Sequence, residues 1–523
     1  MGIYLKLGNQ SFQAILKSEF VDKSDIISEF NSRIDTINKL VCISRPRRFG
    51  KSLLAKMLCA YYDNSCDSKE LFKNLKIASS PDFETYLNRY PVIYLDMTWF
   101  VSTCPDINNI ISFIQEKISA EIKEEMPDAS GNSLPELIAS ASIKYNTKFV
   151  ILIDEWDAIF REAKENIELQ KNYVKLLRGL FKSPLTDNMF ALAYMTGILP
   201  IKKYGTQSAL TDFSEYTMLN PEQFASYTGF TEEEVLSLCK KYGRSFTDAK
   251  KWYDGYSFEK VKSIYNPNSI MRSMASGEYL SYWTRTESYE ALKIYIDMDF
   301  DGIKQDIIQL LGNNKVVIDT GTFQNDLVTI QSKDDVFTLL VHLGYLAYDS
   351  KDSSVHIPNE EVRQEFVRAV KNGQHKELAK MILESNALLE NTINAEESKV
   401  AKAIEKVHNS AVAPTFYNNE QALRSVVRFA YISAVEEYSV IQEMPSGKGI
   451  ADIVFIAKKE SSKPSMIIEL KWNKSSEGAL NQIKQKNYPE ILKQLSGKIM
   501  LVGISYDEKT KKHECRIEQF INE

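Results

Sequence analysis

The sequence predicts an α/β protein with a parallel sheet in its N-terminal part and a second α/β domain at its C-terminus. Short apolar segments alternate with helical patterns from the start of the chain to about residue 200, and such strands are typical of a parallel sheet covered on both faces. The predicted strands are 40–43, 92–95, 149–153 and 190–195, and a helix is predicted at 110–122. A chain of 523 residues is long enough for roughly three or four domains.

Composition excludes several classes of protein. Hydrophobic residues make up 44% of the chain and charged residues 26%, which is a globular balance and not that of a disordered chain. No apolar run approaches the ~18–20 residues that cross a bilayer, so no membrane contact is expected. Six scattered cysteines without a secretory signal predict reduced thiols and a cytoplasmic location. Because the net charge is −6, contact with nucleic acid requires a local basic patch.

The middle of the chain has a helical pattern. From about 221 to 310, Pro221 and Pro267 each stand where a proline opens a helix. Residues 334–348 then predict a helix that runs into a strand. A return strand at 355–357 and a second helix at 359–370 follow, an order that resembles a winged-helix element. A charged, Ala-rich stretch from about 372 to 410 predicts a helical connector.

The C-terminal region repeats the alternation of strands and helices. Its predicted elements are a helix at 421–438, strands at 450–457 and 465–470, a helix at 478–492 and a strand at 498–504.

The clearest local motif is the loop Arg45-Pro-Arg-Arg-Phe-Gly-Lys-Ser52, which lies between an apolar strand and a helix. Gly50, Lys51 and Ser52 supply, in order, backbone N–H donors at a helix N-terminus, a lysine for the β- and γ-phosphates, and a hydroxyl ligand for Mg²⁺. The motif GxxxxGK[ST] would have a glycine where this sequence has Arg45. We predict an ATP–Mg²⁺ site here, and the alternative is a basic loop that merely precedes a helix.

Two other predicted strands end in polar residues that suit the same site. The strand at 149–153 runs into Asp154, which would order the Mg²⁺ shell, and Glu155, which would polarise the attacking water. The strand at 190–195 ends at Thr196, where either a γ-phosphate sensor or an ordinary strand terminus is expected. The arginines of the loop have two open roles, a nucleotide contact or a salt bridge to a nearby aspartate.

A second group of charged residues lies on two adjacent apolar strands near the C-terminus. Asp452 is on the first strand, and Glu469 and Lys471, which are two residues apart and so share a face, are on the second. Two carboxylates can hold Mg²⁺ while the lysine positions or activates water at a phosphodiester. Glu420, at the start of the upstream helix, is a candidate third carboxylate, and Gln482 and Tyr488 lie on the next predicted helix downstream. The alternative for this E-x-K pattern is a solvated strand edge, which the apolar neighbours disfavour.

With these motifs the sequence resembles the AAA-ATPase-like family, followed by the PD-(D/E)xK nuclease-like domain usually attached to it. The family itself carries RPRRFGK[ST] without the first glycine. Beyond the loop and the C-terminal residues, the matching segments are Phe20-Val-Asp-Lys-Ser24, Tyr90-Pro-Val-Ile-Tyr-Leu-Asp96, Leu152-Ile-Asp-Glu-Trp-Asp157, Met195-Thr-Gly-Ile-Leu199, Trp252-Tyr-Asp-Gly-Tyr256, Tyr265-Asn-Pro267, Gly344-Tyr-Leu346 and Ile357-Pro-Asn-Glu-Glu-Val362. The resemblance implies a P-loop NTPase fold with a helical lid and a restriction-endonuclease-like α/β domain, and it assigns Arg48 and Phe49 to the nucleotide as well.

We therefore expect ATP binding and hydrolysis, with Mg²⁺-dependent cleavage of DNA by the C-terminal domain. The rival interpretation is an ATP-dependent switch or scaffold whose C-terminal domain binds nucleic acid or protein without cutting. DNA is the expected partner, and a homo-oligomer is left open. The predicted segments are an AAA-like ATPase core at 1–220, a helical lid at 221–310, a winged-helix-like segment at 311–371, a helical connector at 372–414 and a nuclease-like domain at 415–523.

Overall fold

Two compact units make up the chain in the computed structural model. The first comprises Met1–Tyr279 and Val317–Val355, and the second comprises Leu280–Val316 and His356–Glu523. The structure describes residues 2–204, 207–283, 289–298, 300, 302–311, 314–325, 329–372, 376–411, 419–446, 449–457, 463–486 and 498–521. No helix within these ranges is both long and apolar enough to cross a membrane.

A five-stranded parallel sheet organises the first unit. Its strands lie in the order Val92–Asp96, Phe149–Asp154, Phe190–Gly197, Leu40–Ser44 and Ser214–Tyr216. The first four are buried over nearly their whole length, as parallel strands covered on both faces must be. They confirm the four predicted strands, whereas the short edge strand Ser214–Tyr216 was not predicted.

Alternate residues of these strands build two separate cores, because successive side chains point to opposite faces of a sheet. Ile151 and Ile153 pack in the core that contains the helix Ile110–Glu125, which buries an isoleucine at every fourth position. Val150 and Leu152 pack in the core that contains the helix Lys51–Tyr62. The sheet is thus fixed between helices on both faces, which makes its strand ends a rigid platform.

Further helices cover this sheet and follow it in the first unit. Before the edge strand they are Gln10–Leu16, Ile26–Asn31, Lys69–Phe72, Phe83–Tyr86, Met97–Thr103, Leu134–Lys144, Ala158–Glu162, Ile167–Phe181 and Thr186–Met189, with 3-10 turns at Lys76–Ser79 and Ile107–Asn109. After it come Glu232–Tyr242, Phe246–Tyr253, Pro267–Ser276 and Lys333–Leu343, with short strands at Lys203–Tyr204, Gln207–Ser208, Phe230–Thr231 and Ile264–Tyr265.

The two prolines of the predicted lid have different outcomes. Pro267 opens the helix Pro267–Ser276, as predicted. Pro221 precedes only the 3-10 turn Glu222–Phe224, so the prediction that it opens an α-helix is wrong. The next α-helix begins at Glu232, eleven residues after Pro221, where Thr231 and Glu234 form a reciprocal capping box. The capping box was the stronger signal because it satisfies two orphan N–H groups, whereas a proline satisfies none.

The predicted order of helix, hairpin and helix is found after residue 332. Helix Lys333–Leu343 is followed by the strands Ala347–Asp349 and Ser354–His356 and then by the helix Glu360–Asn372. The two-unit division falls between Val355 and His356, so the hairpin strands belong mainly to the first unit and the helix to the second. The boundaries of the five predicted segments stay a prediction.

The second unit contains helices followed by a five-stranded mixed sheet. The strands lie in chain order: Tyr438–Ser446, Gly449–Ala457, Ser465–Trp472, Lys498–Asp507 and Lys512–Ile521. Only the third and fourth are parallel, and the helix Ser476–Gln485 lies between them in the chain. The other elements are the helices Tyr289–Ile296, Ile303–Leu311, Lys376–Ile393, Glu397–Ala411 and Glu420–Ala430 and the 3-10 turn Ile432–Glu436. The division between the units falls within the short strand Val316–Val317.

The α/β class of this unit is confirmed, and so are its three predicted strands. The predicted helix 421–438 was too long, because the α-helix ends at Ala430 and Tyr438 already begins a strand. The last strand, Lys512–Ile521, was not predicted. The predicted helix 478–492 is described only as far as Gln485.

Candidate functional site

The loop between the strand Leu40–Ser44 and the helix Lys51–Tyr62 has the backbone of an anion-binding site. Gly50 is the N-cap of this twelve-residue helix and has φ +90°, a conformation that favours glycine. A Cβ at this position would meet no atom within 4 Å, so the requirement for glycine is conformational and not one of space. The free N–H groups of the first turn follow directly and are available to an anion.

Lys51 is held inside the loop. It is 3% exposed, and its Nζ donates to the carbonyl oxygens of Arg45 and Pro46, both at 3.0 Å. Glu155 Oε1 lies 3.5 Å from the same nitrogen. Two neutral carbonyls and one carboxylate at 3.5 Å hold the Lys51 ammonium less strongly than phosphate oxygens would, because hydrogen bonds between charged groups are the stronger ones.

Arg45 explains how the loop forms without a glycine at its start. Its guanidinium is fully buried, donates to the carbonyls of Ser44 (2.8 Å) and Tyr216 (3.1 Å), and lies over the ring of Phe258 at 5.7 Å. Burial lowers its pKa to about 10, so it stays charged at neutral pH. The structure therefore assigns Arg45 to the joining of the loop to the edge strand, in place of the two roles predicted for the loop arginines.

Arg48 and Phe49 lie between the loop and the helical region that follows the sheet. Arg48 is exposed, and its guanidinium donates to Asn268 Oδ1 at 3.1 Å. The Phe49 ring is buried against Tyr256, with ring centroids 5.5 Å apart, and its carbonyl accepts from Gly229 N at 3.0 Å. Phe49 thus packs into the protein, whereas Arg48 remains at the surface of the loop.

A cavity of about 490 Å³ opens beside this loop. Gly50, Lys51, Ser52 and Glu155 line its polar end, and its volume lies within the usual range of ligand pockets, about 300–1,000 Å³. The remaining wall is largely apolar and includes Phe20, Val21, Met57, Tyr227, Phe230 and Met271. The sequence analysis assigned none of these six to a site, because only the fold brings segments so far apart in the chain to one wall.

Asp154 has the surroundings of a magnesium ligand. Its Oδ2 accepts from the Tyr94 hydroxyl at 3.1 Å, while its Oδ1 is buried and has no hydrogen-bond partner within the described ranges. Burial raises the pKa of Asp154 to about 6, against the lowering effects of the Ser52 hydroxyl and Lys51. An unsatisfied carboxylate oxygen near a serine hydroxyl is the oxygen-donor chemistry that Mg²⁺ prefers, so Asp154 and Ser52 fit this ion.

Glu155 is fixed between two cations. Its Oε2 lies 2.6 Å from Arg161, and its backbone has φ +52°. Burial favours a raised pKa, but the positive charges of Lys51, Arg161 and Arg47 outweigh it and lower the pKa of Glu155. The carboxylate is therefore ionised at neutral pH, as a general base must be. Arg161, which is one turn beyond Asp157, was not among the site residues predicted from the sequence.

Asp157 and Thr196 serve the backbone around the site. Asp157 Oδ2 accepts from the N–H groups of Ile198 (3.2 Å) and Leu199 (2.9 Å). The Thr196 hydroxyl is buried and donates to Ile43 O at 2.8 Å, which joins two neighbouring strands. This contact favours the strand-terminus interpretation of Thr196 over that of a phosphate sensor.

In the second unit, Asp452 and Glu469 lie on neighbouring antiparallel strands. The register that pairs Ile453 with Ile468 puts the two carboxylates side by side. Asp452 Oδ2 accepts from Leu470 N at 2.8 Å, and its Oδ1 accepts from Arg424 at 2.6 Å. Both oxygens of Asp452 therefore already have a donor.

Glu469 keeps one oxygen unsatisfied. It is 2% exposed, and its Oε1 accepts from Lys471 Nζ at 3.2 Å and from the Gln482 amide. Its Oε2 is buried without a hydrogen-bond partner in the part of the chain that the structure describes. Burial and the negative charge of Asp452 raise the pKa of Glu469 to about 7, against the effect of Lys471. An orphaned carboxylate oxygen beside a second carboxylate fits a hard divalent cation.

Glu420 does not join this pair. Across the described ranges, no group of three or more His, Cys, Asp or Glu side chains is arranged to hold a metal ion. The helix Glu420–Ala430 reaches Asp452 through Arg424, one turn after Glu420, so the predicted third carboxylate is replaced by a cation. Gln482, on the following helix, contacts Glu469 instead, and Tyr488 lies outside the described residues.

Comparison with known proteins finds a matching family model for two parts of the chain. Residues 6–206 match the family model described as a predicted AAA-ATPase, and residues 418–515 match that of the PD-(D/E)XK nuclease superfamily. These two matches confirm the resemblance found in the sequence.

Individual relatives are distant. Over 294 residues the chain is 23% identical to "Uncharacterized protein in vnfD 5'region" of Azotobacter chroococcum mcd 1, and the aligned part is 54% of each protein, about half of that relative's length. The solved structure of the Aeropyrum pernix ORC2 protein in ADPNP–ADP complexes overlaps 68% of this chain and 94% of that chain at 11% identity. The TM-score of this overlap, 0.28, is too low to define a common fold.

The raised pKa of Glu469 predicts a pH-dependent stability in metal-free buffer. The folded state retains a proton on Glu469 up to about pH 7, whereas the unfolded chain loses it near 4.5. The contribution to the free energy of unfolding is therefore present below pH 4.5 and is lost as the pH rises to about 7. Hydrogen exchange of the strand Ser465–Trp472 with a chelator should show this decline, and Glu469→Gln should flatten it.

Glu514→Gln, on an exposed residue of the same sheet, is the control and should keep the decline. An unchanged pH dependence in Glu469→Gln would assign the decline to another group.

Proposed function

We propose that the chain hydrolyses ATP at the loop of Gly50, Lys51 and Ser52, and that its C-terminal domain cleaves DNA with Mg²⁺ at Asp452 and Glu469. One observation carries the proposal: each site contains a buried strand-borne carboxylate with an oxygen that has no donor within the described ranges, Asp154 Oδ1 and Glu469 Oε2. Leaving such oxygens unsatisfied costs about 1–3 kcal/mol each, which a bound cation would recover.

At the first site, the chain's own groups would divide the work as follows. Lys51 exchanges its carbonyl partners for the β- and γ-phosphate oxygens, together with the N–H groups of the first helical turn. Ser52 and Asp154 hold Mg²⁺, which when bound neutralises charge on the phosphates. Glu155 then loses the Lys51 ammonium but keeps Arg161, which holds the carboxylate in place to accept a proton from water.

At the second site, Asp452 and Glu469 hold Mg²⁺, which when bound polarises the phosphodiester as a Lewis acid. Lys471 lies 3.2 Å from Glu469 Oε1 and positions the attacking water. The Gln482 amide contacts the same oxygen and fixes the orientation of Glu469. We also place the protein in the cytoplasm, where its six free cysteines would stay reduced.

A second candidate function is an ATP-dependent switch or scaffold whose C-terminal domain binds nucleic acid or protein without cutting. The ion pair between Arg424 and Asp452 favours it, because a guanidinium neutralises the carboxylate without a metal. The two candidates differ in whether the wild-type chain cleaves any DNA when Mg²⁺ is supplied, with or without ATP.

Lys51→Ala should abolish ATP binding, because it removes the charge that faces the β- and γ-phosphates. Direct titration of the purified chain with ATP and Mg²⁺ measures this. Lys56→Ala, on the same helix but outside the cavity lining, is the matched control and should bind like the wild type. Unchanged affinity in Lys51→Ala would remove the nucleotide from this loop.

Glu155→Gln should leave ATP binding nearly intact and slow turnover by about 10²-fold or more, the usual effect of losing a general base. Steady-state phosphate release with a parallel binding titration separates the two effects. Glu162→Gln, an exposed carboxylate on the short helix Ala158–Glu162, should keep the wild-type rate. Wild-type turnover in Glu155→Gln would mean that Glu155 is structural.

Asp452→Asn should abolish DNA cleavage and leave ATP hydrolysis unchanged, because the two sites lie in different units. Lys471→Ala should also stop cleavage but largely preserve metal binding, since a protonated lysine is not a metal ligand. Plasmid and linear DNA assays with Mg²⁺ measure cleavage, with phosphate release as the second readout.

Two results would contradict the cleavage assignment. Cleavage that survives Asp452→Asn would come from another site or from a contaminant. Absence of cleavage by the wild type on every DNA tested would favour the scaffold.

A further inference from the structure

Arg424, on the helix Glu420–Ala430, forms an ion pair with Asp452 of the Asp452–Glu469 pair. Its guanidinium lies 2.6 Å from Asp452 Oδ1 through one terminal nitrogen and 2.6 Å from Glu443 Oε1 through the other. The Arg424 side chain is 17% exposed, whereas that of Glu443 is 65% exposed. The arginine therefore bridges a buried carboxylate and a carboxylate at the surface.

This bridge makes the two halves of the pair unequal. Asp452 has a donor on each oxygen, Leu470 N at 2.8 Å and the Arg424 guanidinium at 2.6 Å. Glu469 has a buried oxygen without a hydrogen-bond partner in the described part of the chain. A divalent cation would therefore meet an unsatisfied oxygen on Glu469, whereas Asp452 is already neutralised by Arg424.

The guanidinium of Arg424 can be displaced from Asp452 without losing all of its partners. Its contact with Asp452 is partly exposed, and its second nitrogen stays on the surface carboxylate of Glu443. Displacement from Asp452 would therefore leave the guanidinium paired at the surface and not buried without a partner, which is the costly alternative. Mg²⁺ and guanidinium are both cations that seek carboxylate oxygens, so they compete for the same atom.

We propose that Arg424 competes with the divalent cation for Asp452 in the C-terminal site. It holds Asp452 when no cation is bound, must release it when one binds, and so sets the cation concentration at which the site is filled. This inference rests on the proposed function, since it takes Asp452 and Glu469 to be the cation ligands.

Calorimetric titration of the full chain with Mg²⁺, without nucleotide or DNA, tests the inference through binding and not through activity. Arg424→Gln should bind Mg²⁺ about tenfold more tightly than the wild type, within the range of coupling measured for salt-bridge networks. Arg424→Met, which keeps the length of the stem, should change the affinity in the same direction. Thermal unfolding of both variants checks that they fold, and either one that folds is sufficient.

Two further variants make the comparison specific. Lys484→Gln removes a cation that pairs with Glu518 on the same sheet, and it should leave the Mg²⁺ affinity unchanged if the contact with Asp452, and not net charge, is the cause. Asp452→Asn should remove the tight binding in both the wild-type and the Arg424→Gln backgrounds.

The outcomes separate this inference from the proposed function. Equal or weaker Mg²⁺ affinity in Arg424→Gln, with loss of binding in Asp452→Asn, would overturn the competition but leave the cation site. Absence of Mg²⁺ binding in the wild type and in both Arg424 variants would overturn the cation site and the competition together. Binding seen only after Arg424 is replaced would support the competition in its strongest form.

Discussion

Buried carboxylates on strands, or directly after them, need compensation, and the contacts of both sites provide it. An ionised carboxylate in an apolar setting is costly unless a donor or cation faces it. Glu155 is compensated by Arg161 and Lys51, and Asp452 by Arg424 and a backbone N–H. Stabilising the fold is not the main effect of these pairings, because the attraction within a buried ion pair seldom exceeds the cost of its desolvation. They keep charged groups at positions where chemistry can use them.

Because of this constraint, sheets and helices contribute different groups to the two sites. Strands fix the acids rigidly, since register and burial leave them no freedom. The compensating cations come from helices or loops, on long side chains that can move without disturbing the sheet. Lys51 has carbonyl partners that a phosphate can replace, and Arg424 has a second partner at the surface. Under the proposed function, the resting partner in each unit is thus a group that a ligand would exchange.

Those parts of the fold and of the two sites that depend on residues close together in the chain could be predicted from the sequence. The apolar strands and the loop of Gly50, Lys51 and Ser52 could be identified because each is a continuous run of residues. Strand Ser214–Tyr216 is too short to show a pattern, and the predicted helix was extended too far, over Tyr438, which begins a strand. Of the compensating groups, Arg161 and Arg424 were missed because no motif links Arg161 to Glu155 or Arg424 to Asp452. Glu420 was chosen from its helix for its charge, but Arg424, one turn later, is the residue that forms an ion pair with Asp452.

The start of the loop shows why a sequence motif and its physical cause are different things. The first position of GxxxxGK[ST] is occupied by Arg45, yet the loop folds around Lys51 through the carbonyl of that same residue. Arg45 does not have a positive φ, whereas Gly50 does, so only the later position needs glycine. The side chain at 45 points instead to Tyr216 and Phe258, where it joins the loop to the edge strand. What position 45 contributes to the loop is a backbone oxygen within reach of Lys51, which any residue supplies if its side chain can be packed elsewhere.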